Sequence, residues 1–261
     1  MERETAKVRP LVTPVSDLTL AAVLLAMGFE AYTMRRIEDH DLTSTGRSAA
    51  GRVCWEFSPV GDGGMRFDEV ARAWKGALRD EPGVPPAVRA ARLAVHNCHC
   101  LTAAAKDGAP LYAYDSVDGT RLSNDALSGA RLVPRRMAPE APAVTLRTTG
   151  PAACALAVGC RLQGVIYSGD GCLWCVSPGV CGGPQPLEVE MRWRDLNWVT
   201  SPGNVSPLAV AIATLLNRRE LLGSVHQGRV VHLVRSGGSA LYLPADAPKD
   251  MVERGSRLLN M

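Results

Sequence analysis

Two phrases at a fixed spacing constrain the fold of this chain more than any other feature of its sequence. Trp55 begins the stretch WEFSP, and Trp174 begins the stretch WCVSP 119 residues later. A further tryptophan follows each Ser-Pro pair at one distance, Trp74 at the end of DEVARAW and Trp193 at the end of LEVEMRW. Matched phrases at one spacing indicate that a structural unit occurs more than once. We therefore expect these four tryptophans to be structural anchors of the units.

The residues around the two phrases predict what each unit contains. Upstream lie DLTLAAVLLAMG in the first copy and GPAACALAVGCRLQG in the second, both small and apolar and both closed by a glycine, which is typical of a buried helix with a C-terminal cap. Short β-prone pieces follow, FEAYTM and RVCWEF in the first copy and VIYSG and CLWCV in the second. Each copy therefore predicts a helix, two strands and a helix. A polar stretch, RRIEDHDLTSTGRSAAG, predicts a long exposed loop between the strands of the first copy.

The rest of the chain predicts a third copy and an intervening region. SPLAVAIATLLNRRELLG predicts a capped helix, SVHQGRVVHLVR and SALYLP predict two strands, and PKDMVERGSRLLNM predicts a final amphipathic helix. Between the first two copies we expect a helix in PPAVRAARLAVHNCHCLTAAAKDG, a hairpin in PLYAYDSVDGTRL and a linker rich in proline and arginine. The sequence thus predicts an α+β fold with repeated helix-strand-strand-helix units. We place the units at residues 1–84, 147–200 and 201–261, and the helix, hairpin and linker at residues 85–146.

Composition narrows the class of protein. Hydrophobic residues make up 46% of the chain, which allows a sizeable core, and the net charge of +3 is too small to predict a nucleic-acid partner by itself. The longest apolar run, LTLAAVLLAMGF, is about a dozen residues long, whereas a membrane span needs about 20. The first ten residues, MERETAKVRP, have no apolar signal segment. We therefore expect no membrane association and a protein kept in a reducing cytoplasm.

The first unit resembles a known family over roughly residues 11 to 80. The residues that carry the resemblance are SDLTLAAVLLAMGFE, VCWEFSP and FDEVARAWKG, and the family is a small domain of unknown function common in tailed-phage and prophage proteins. The polar insertion departs from the compact pattern of that family. The resemblance implies a phage source and, by association, a structural or assembly role in the virion, such as decoration, minor capsid or head-tail junction protein. Other virion proteins or copies of this chain would then be its partners, and the virion, assembled in the host cytoplasm, its location.

Cysteine and histidine residues suggest one alternative, a small zinc-binding protein. VHNCHC contains His96, Cys98, His99 and Cys100, and a second group contains Cys172, Cys175 and Cys181. Zinc prefers four nitrogen or sulfur ligands in a tetrahedron. On a helix, however, His96 and Cys100 share a face that Cys98 and His99 do not. The position of Cys175 in the second copy is held by Glu56 in the first. We therefore favour packing roles and expect no metal and no cofactor.

Catalytic motifs are not found in the sequence. It contains no Gly-x-x-x-x-Gly-Lys phosphate loop, no Gly-x-Ser-x-Gly nucleophile turn and no His-x-Glu deaminase signature. We therefore predict no catalytic residue and a protein that is not an enzyme.

Short basic clusters leave a second alternative, an intracellular phage factor that binds nucleic acid or a host protein. The clusters are PRRM, with Arg135 and Arg136, and NRRE, with Arg218 and Arg219. They are separated along the chain and interleaved with acids, so solvated surface is favoured over phosphate binding. Arg135, Arg136 and Trp198, which has no counterpart in the first copy, remain candidate interaction residues.

Overall fold

A strand, a buried helix, two strands and an amphipathic helix follow one another at the start of the described chain. The structure is a computed structural model that describes residues 13–15, 17–36, 53–78, 81–116, 118–126, 128–169, 171–179, 183–201, 203–227, 231–235 and 238–242. Its first elements are β1 (Thr13–Val15), α1 (Leu18–Ala26), β2 (Ala31–Arg36), β3 (Val53–Phe57) and α2 (Phe67–Gly76), with a 3-10 turn at Asp62–Gly64. The three strands form an antiparallel sheet in the order β1-β3-β2.

Helix α1 is short and lies wholly inside the protein. It begins at Asp17, whose Oδ1 accepts hydrogen bonds from the backbone N–H groups of Thr19 at 2.8 Å and Leu20 at 3.1 Å, which satisfies two donors that a helix start leaves open. Residues 21–26 are all buried, so the helix is apolar on every side, as expected of a core helix. The chain then turns at Gly28, whose φ of 78° favours glycine.

The second group of elements is a long helix and a small sheet. They are α3 (Pro86–Asp107), β4 (Tyr112–Asp115), β5 (Thr120–Ser123) and β6 (Arg131–Leu132), and the strand order is β5-β4-β6. Proline at the first position of α3 costs no hydrogen bond, and Gly108 ends the helix with a φ of 64°.

The third group has the same order of strands and helices as the first. It comprises β7 (Val144–Leu146), α4 (Thr149–Ala157), β8 (Arg161–Ser168), β9 (Gly171–Ser177), α5 (Pro186–Arg194) and α6 (Leu196–Val199). Its sheet has the order β7-β9-β8. Leu146 lies opposite Trp174 in this sheet, and Val15 lies opposite Trp55 in the first.

The last described elements are a second long helix and a hairpin. Helix α7 (Pro207–Gln227) is followed by β10 (Val231–Arg235) and β11 (Gly238–Tyr242), which pair antiparallel. The two long helices α3 and α7 pack against each other, α1 packs on α7, and α4 packs on α3. These four helices and the inner faces of the sheets form one buried apolar cluster.

The α+β class predicted from the sequence is confirmed by this mixture of helices and antiparallel sheets. The helix, two strands and helix predicted in residues 1–84 and in residues 147–200 occur in that order, as do the helix and hairpin predicted in residues 85–146. In residues 201–261 the predicted first helix and both strands occur, but the predicted last helix lies outside the described residues. Of the polar stretch expected as a loop, residues 35–51, Arg35 and Arg36 lie in β2, and residues 37–51 lie outside the described residues. The helix expected to end at Gly164 ends at Ala157, and Gly164 lies in β8, whereas the helix expected to end at Gly223 continues to Gln227. The sequence did not predict β1, β6, β7 or α6.

Candidate functional site

The two strand tryptophans lie in the core. Trp55 is 3% exposed and Trp174 is 1% exposed, each in the central strand of its sheet. Trp74, near the end of α2, is also buried, and the guanidinium carbon of Arg92 lies 4.4 Å from the centre of its ring. These side chains fill space and hold the helices on the sheets, which is the packing role expected of them.

Trp193 and Trp198 lie closer to the surface. Trp193 is partly buried and covers Gly150 so closely that a Cβ atom there would lie 2.5 Å from the indole ring. Trp198 on α6 is also partly buried, and the guanidinium carbon of Arg192 lies 4.8 Å from its ring centre. Both rings therefore contribute to the docking of α5 and α6 on the body of the protein.

The histidine and cysteine residues of α3 are used in packing. His96 Nε2 donates a hydrogen bond to the backbone oxygen of Leu122 on β5 at 2.7 Å. Cys100 Sγ lies 3.9 Å from the same nitrogen, one helical turn along the same face. Cys98 does not lie on this face of α3. It lies toward α7 and α4, near Arg218 and Cys154. The candidate ligands of VHNCHC therefore do not all face the same point.

Electrostatics keep these groups uncharged. Burial raises the pKa of the Cys98 thiol and of the Cys100 thiol. Burial lowers the pKa of His96 and of His99, and nearby arginines act in the same direction. A reactive cysteine needs the opposite shift, toward the thiolate. The arrangement therefore favours neutral side chains that pack α3 against β5 and against its neighbouring helices.

The second cysteine group lies in the other sheet. Cys172 and Cys175 are buried on β9, and burial raises the pKa of both thiols. Cys181 lies outside the described residues. Within the described ranges, no three side chains of His, Cys, Asp or Glu come close enough together to hold a metal ion. The described cysteines are free thiols.

The segment that contains Arg135 and Arg136 runs along the outer edge of β8. The N–H of Arg136 donates to Val165 O at 2.9 Å, and the N–H of Val165 donates to Pro134 O at 3.0 Å. Arg136 Nε donates to Gln163 O at 3.0 Å, and its guanidinium pairs with Glu140. Arg136 therefore links its own segment to β8 within the chain.

Two other candidate arginines, Arg135 and Arg219, are also engaged by neighbours. Arg135 is exposed, and its guanidinium carbon lies 4.7 Å from the ring centre of Tyr167. Arg219 on α7 pairs with the adjacent Glu220 at 3.4 Å. Cation–π stacking and acid pairing are ordinary surface contacts, so these residues give no specific sign of a phosphate site.

A cavity of about 560 Å³ opens between the beginnings of α3 and α7. Its lining is mostly apolar and includes Pro86, Val158, Trp198 and Pro207. Arg89 also lines it, and its guanidinium pairs with Asp118 and donates to Glu81 O. The arginine charge is thus compensated within the chain.

The exposed face of α5 is the feature that the sequence analysis missed. Leu187 is 51% exposed and Met191 is 65% exposed, one helical turn apart, and Leu196 at the start of α6 is 44% exposed. We call Leu187 and Met191 the α5 face. At the corresponding positions of DEVARAW, α2 carries Asp68 and Arg72. The signal was present in LEVEMRW, where apolar residues stand at positions that the first phrase fills with charges.

In the described part of the chain, no helix combines the length and apolarity that crossing a bilayer requires. No protein-family model, no curated protein and no solved structure matches this chain. The resemblance of residues 11 to 80 to a phage domain therefore rests on the residues quoted for it.

Proposed function

We propose that this protein is a non-enzymatic structural or assembly component of a bacteriophage particle, which acts through contacts with copies of itself or with other virion proteins. The observation that carries the proposal is the α5 face. Leu187 and Met191 place large apolar side chains in water on a helix whose opposite side is already buried through Val189. Removing a leucine or methionine side chain from water is worth about 1.5–3 kcal/mol, so a partner that covers this face gains substantially.

The matching helix α2 supplies an internal comparison. Trp74 and Trp193 align the two helices, and Asp68 and Arg72 then stand where α5 has Leu187 and Met191. Asp68 and Arg72 are largely exposed and form an ordinary ion pair one turn apart at 3.9 Å. The helix therefore tolerates a charged outer face, and nothing in its own packing requires an apolar one.

The α2 comparison rests on the proposed repeat, in which residues 1–84 and 147–200 are copies of one helix-strand-strand-helix unit. Their sheets support it, because both place the preceding short strand beside the tryptophan strand. A β-bulge falls between Ala31 and Thr33 in β2 and between Leu162 and Gly164 in β8, at the same distance from the paired tryptophan. Bulges are features that related proteins keep.

The same offset continues beyond these units, which leads us to extend the proposed repeat. Tyr112 pairs with Ser123 in the hairpin β4-β5, and Val231 pairs with Tyr242 in the hairpin β10-β11, again 119 residues later. Helices α3 and α7 precede these hairpins and begin at Pro86 and Pro207. Residues 201–261 then correspond to residues 85–146, and the chain consists of two long copies rather than three short ones.

The phage origin is supported by the sequence resemblance of the first unit. A virion component is present in many copies, so a weak contact of each copy can still hold it in place. The position of the protein in the particle, whether as decoration protein, minor capsid protein or head-tail junction component, follows from which proteins it contacts.

The proposal is tested with the double variant Leu187→Asp, Met191→Arg, which gives α5 the outer residues of α2. We expect the wild-type protein in purified particles and a self-association or partner contact that light scattering detects. We expect the variant to be folded, monomeric and absent from particles. The matched control, Asp68→Arg with Arg72→Asp on α2, changes the same number of exposed side chains and should behave as wild type.

Two outcomes would contradict the proposal. Particles that form normally and contain no wild-type protein would remove the virion role. The second outcome is one zinc ion that the wild-type protein holds tightly and that Cys98→Ser loses, which metal analysis of the same sample would detect. It would move the assignment to the zinc-binding alternative.

A further inference from the structure

We infer that the partner of the α5 face is the same face of a second copy of this chain, with the two α5 helices antiparallel about a twofold axis near Met191. The inference rests on the proposed function in that it takes the α5 face as a contact site, and it adds the identity of the partner. It is carried by the order of charges along α5.

The sign of the charges on α5 changes at Met191, from acidic before it to basic after it. Glu188 and Glu190 precede Met191, and Arg192 and Arg194 follow it at the mirrored positions. Glu188 and Arg192 form one row along the helix, and Glu190 and Arg194 form a second row on the other side of the α5 face. In an antiparallel pair centred near Met191, each row meets the same row of the other copy in reverse, so position 188 faces position 192 and position 190 faces position 194. Every glutamate then meets an arginine. A parallel pair would instead oppose like charges, so a symmetric contact with a twofold axis is favoured.

Three of these four side chains are accessible for such an exchange of partners, whereas Glu190 is only 20% exposed. Within the chain, Glu188 and Arg192 are 4.0 Å apart, at the limit of an ion pair, and Glu190 and Arg194 are 2.7 Å apart. Arg194 is largely exposed. Partly exposed pairs such as Glu188 with Arg192 contribute little, so little is lost when they reorient toward a second copy.

The helix dipole by itself also favours acids before bases. Helix α2 shows this, with Asp68 in its first turn and Lys75 in its last. Charge order is therefore not sufficient for a contact. Helix α5 differs from α2 because it combines this charge order with the α5 face. Its apolar side chains, Leu187 and Met191, therefore lie between two rows of complementary charges.

The size of the face sets the expected strength. Two nine-residue helices with two exposed large apolar side chains each cover less area than a standard interface of about 1,600 Å². The dimer should therefore dissociate on dilution, and many copies arranged together would stabilise it.

Charge exchange between two full-length variants tests the inference by sedimentation equilibrium. Glu188→Arg opposes Arg192 of the second copy, and Arg192→Glu opposes its Glu188. We expect each variant alone to dimerise about tenfold more weakly than wild type. An equal mixture of the two variants restores both opposite-charge pairs and should return to wild-type association. Each variant should still unfold cooperatively, because Glu188 and Arg192 are both partly exposed. Thermal unfolding checks this, since Arg192 also lies over the ring of Trp198.

The results that overturn the inference are distinct from those that overturn the proposed function. Dimers of either single variant as strong as wild type, or a mixture that associates no better than its components, would remove the antiparallel α5 pair. A wild-type chain that stays monomeric would do the same. If Leu187→Asp, Met191→Arg were then still absent from particles, the α5 face would remain a contact site for a different virion protein.

Discussion

Asn97 holds the backbone of Leu122 with its side-chain amide. The N–H of Leu122 donates to Asn97 Oδ1 at 2.9 Å, and Asn97 Nδ2 donates to Thr120 O at 2.8 Å. The asparagine is buried on α3, and the two backbone groups belong to the edge of β5 that faces the helix. One side chain thus satisfies a donor and an acceptor that the sheet leaves open.

Asn97→Leu should destabilise the protein by about 3 kcal/mol, because it leaves a buried carbonyl and a buried N–H without partners. Asn217→Leu should have a similar effect, since Asn217 on α7 binds the N–H of Val234 at 2.6 Å and its carbonyl at 2.5 Å. The free energy of unfolding in urea measures both. Asn197→Leu, at an exposed position on α6, is the control and should change it by less than about 0.5 kcal/mol. Equal stability of all three variants would show that these amides do not hold the hairpins.

These two contacts illustrate what the sequence does and does not predict. The helix and hairpin of residues 85–146 follow from a proline start, an Asp-Gly end and alternating strand residues, all of which are local signals. The partner of Asn97 lies 25 residues away, and an asparagine inside a helix has no local signal for such a contact. The three-residue strands β1 and β7 were missed for the same reason, because only their pairing with β3 and β9 defines them.

The candidate residues divide in the same way. Helical spacing correctly predicted that His96 and Cys100 share a face, since that depends only on the 3.6-residue period. The link that Arg136 makes to β8 depends on Gly164, because this glycine leaves space for the arginine side chain. Gly164 lies on a strand that is distant from Arg136 in sequence, so no local signal predicts the contact. The α5 face required the comparison with α2, which the repeat makes visible once solvent exposure is known.

Helix α4 lacks the N-terminal side-chain cap that α1 has, so a cap can be removed from α1 and introduced into α4. Asp17 caps α1 through two hydrogen bonds, whereas the side chain of Thr148 makes none at the start of α4. Asp17→Ala should cost about 1 kcal/mol, and Thr148→Asp should stabilise by less, because Gly150 offers an N–H at the second position of α4 but Pro151 at the third has none. Thermal unfolding measures both. A destabilised Thr148→Asp would show that the start of α4 cannot accept the α1 geometry.

The thiols of the two cysteine groups should be dispensable for folding. Cys98→Ser and Cys175→Ser should each unfold cooperatively, with a loss of about 1–2 kcal/mol for burying a hydroxyl. Cys175 is fully buried and should show the larger loss. Circular dichroism in urea, with a chelator present and absent, is the measurement. A variant that is unfolded, or a wild type that the chelator unfolds, would indicate a structural metal site instead.

Burial of two neutral histidines on α3 should make stability depend on pH. His96 faces Leu122 O, Arg121 and Arg92, and His99 faces Arg218 and Arg92; burial is the largest influence and lowers the pKa of both. The unfolded chain, in which histidine has a pKa of about 6.5, then binds more protons than the folded chain just below that pH. The free energy of unfolding should therefore fall as the pH drops through about 6.5 toward the lower folded pKa values, and be fully retained above it.

His96→Gln separates this effect from the hydrogen bond. The glutamine amide can still donate to Leu122 O but does not titrate, so the variant should lose less stability than wild type between about pH 7 and about pH 5. His99→Gln added to it should flatten the dependence further. Urea unfolding at each pH provides the slopes, and the difference near neutral pH reports the cost of the substitution itself. Identical slopes in wild type and in the double variant would mean that groups other than these two histidines control the loss of stability in acid.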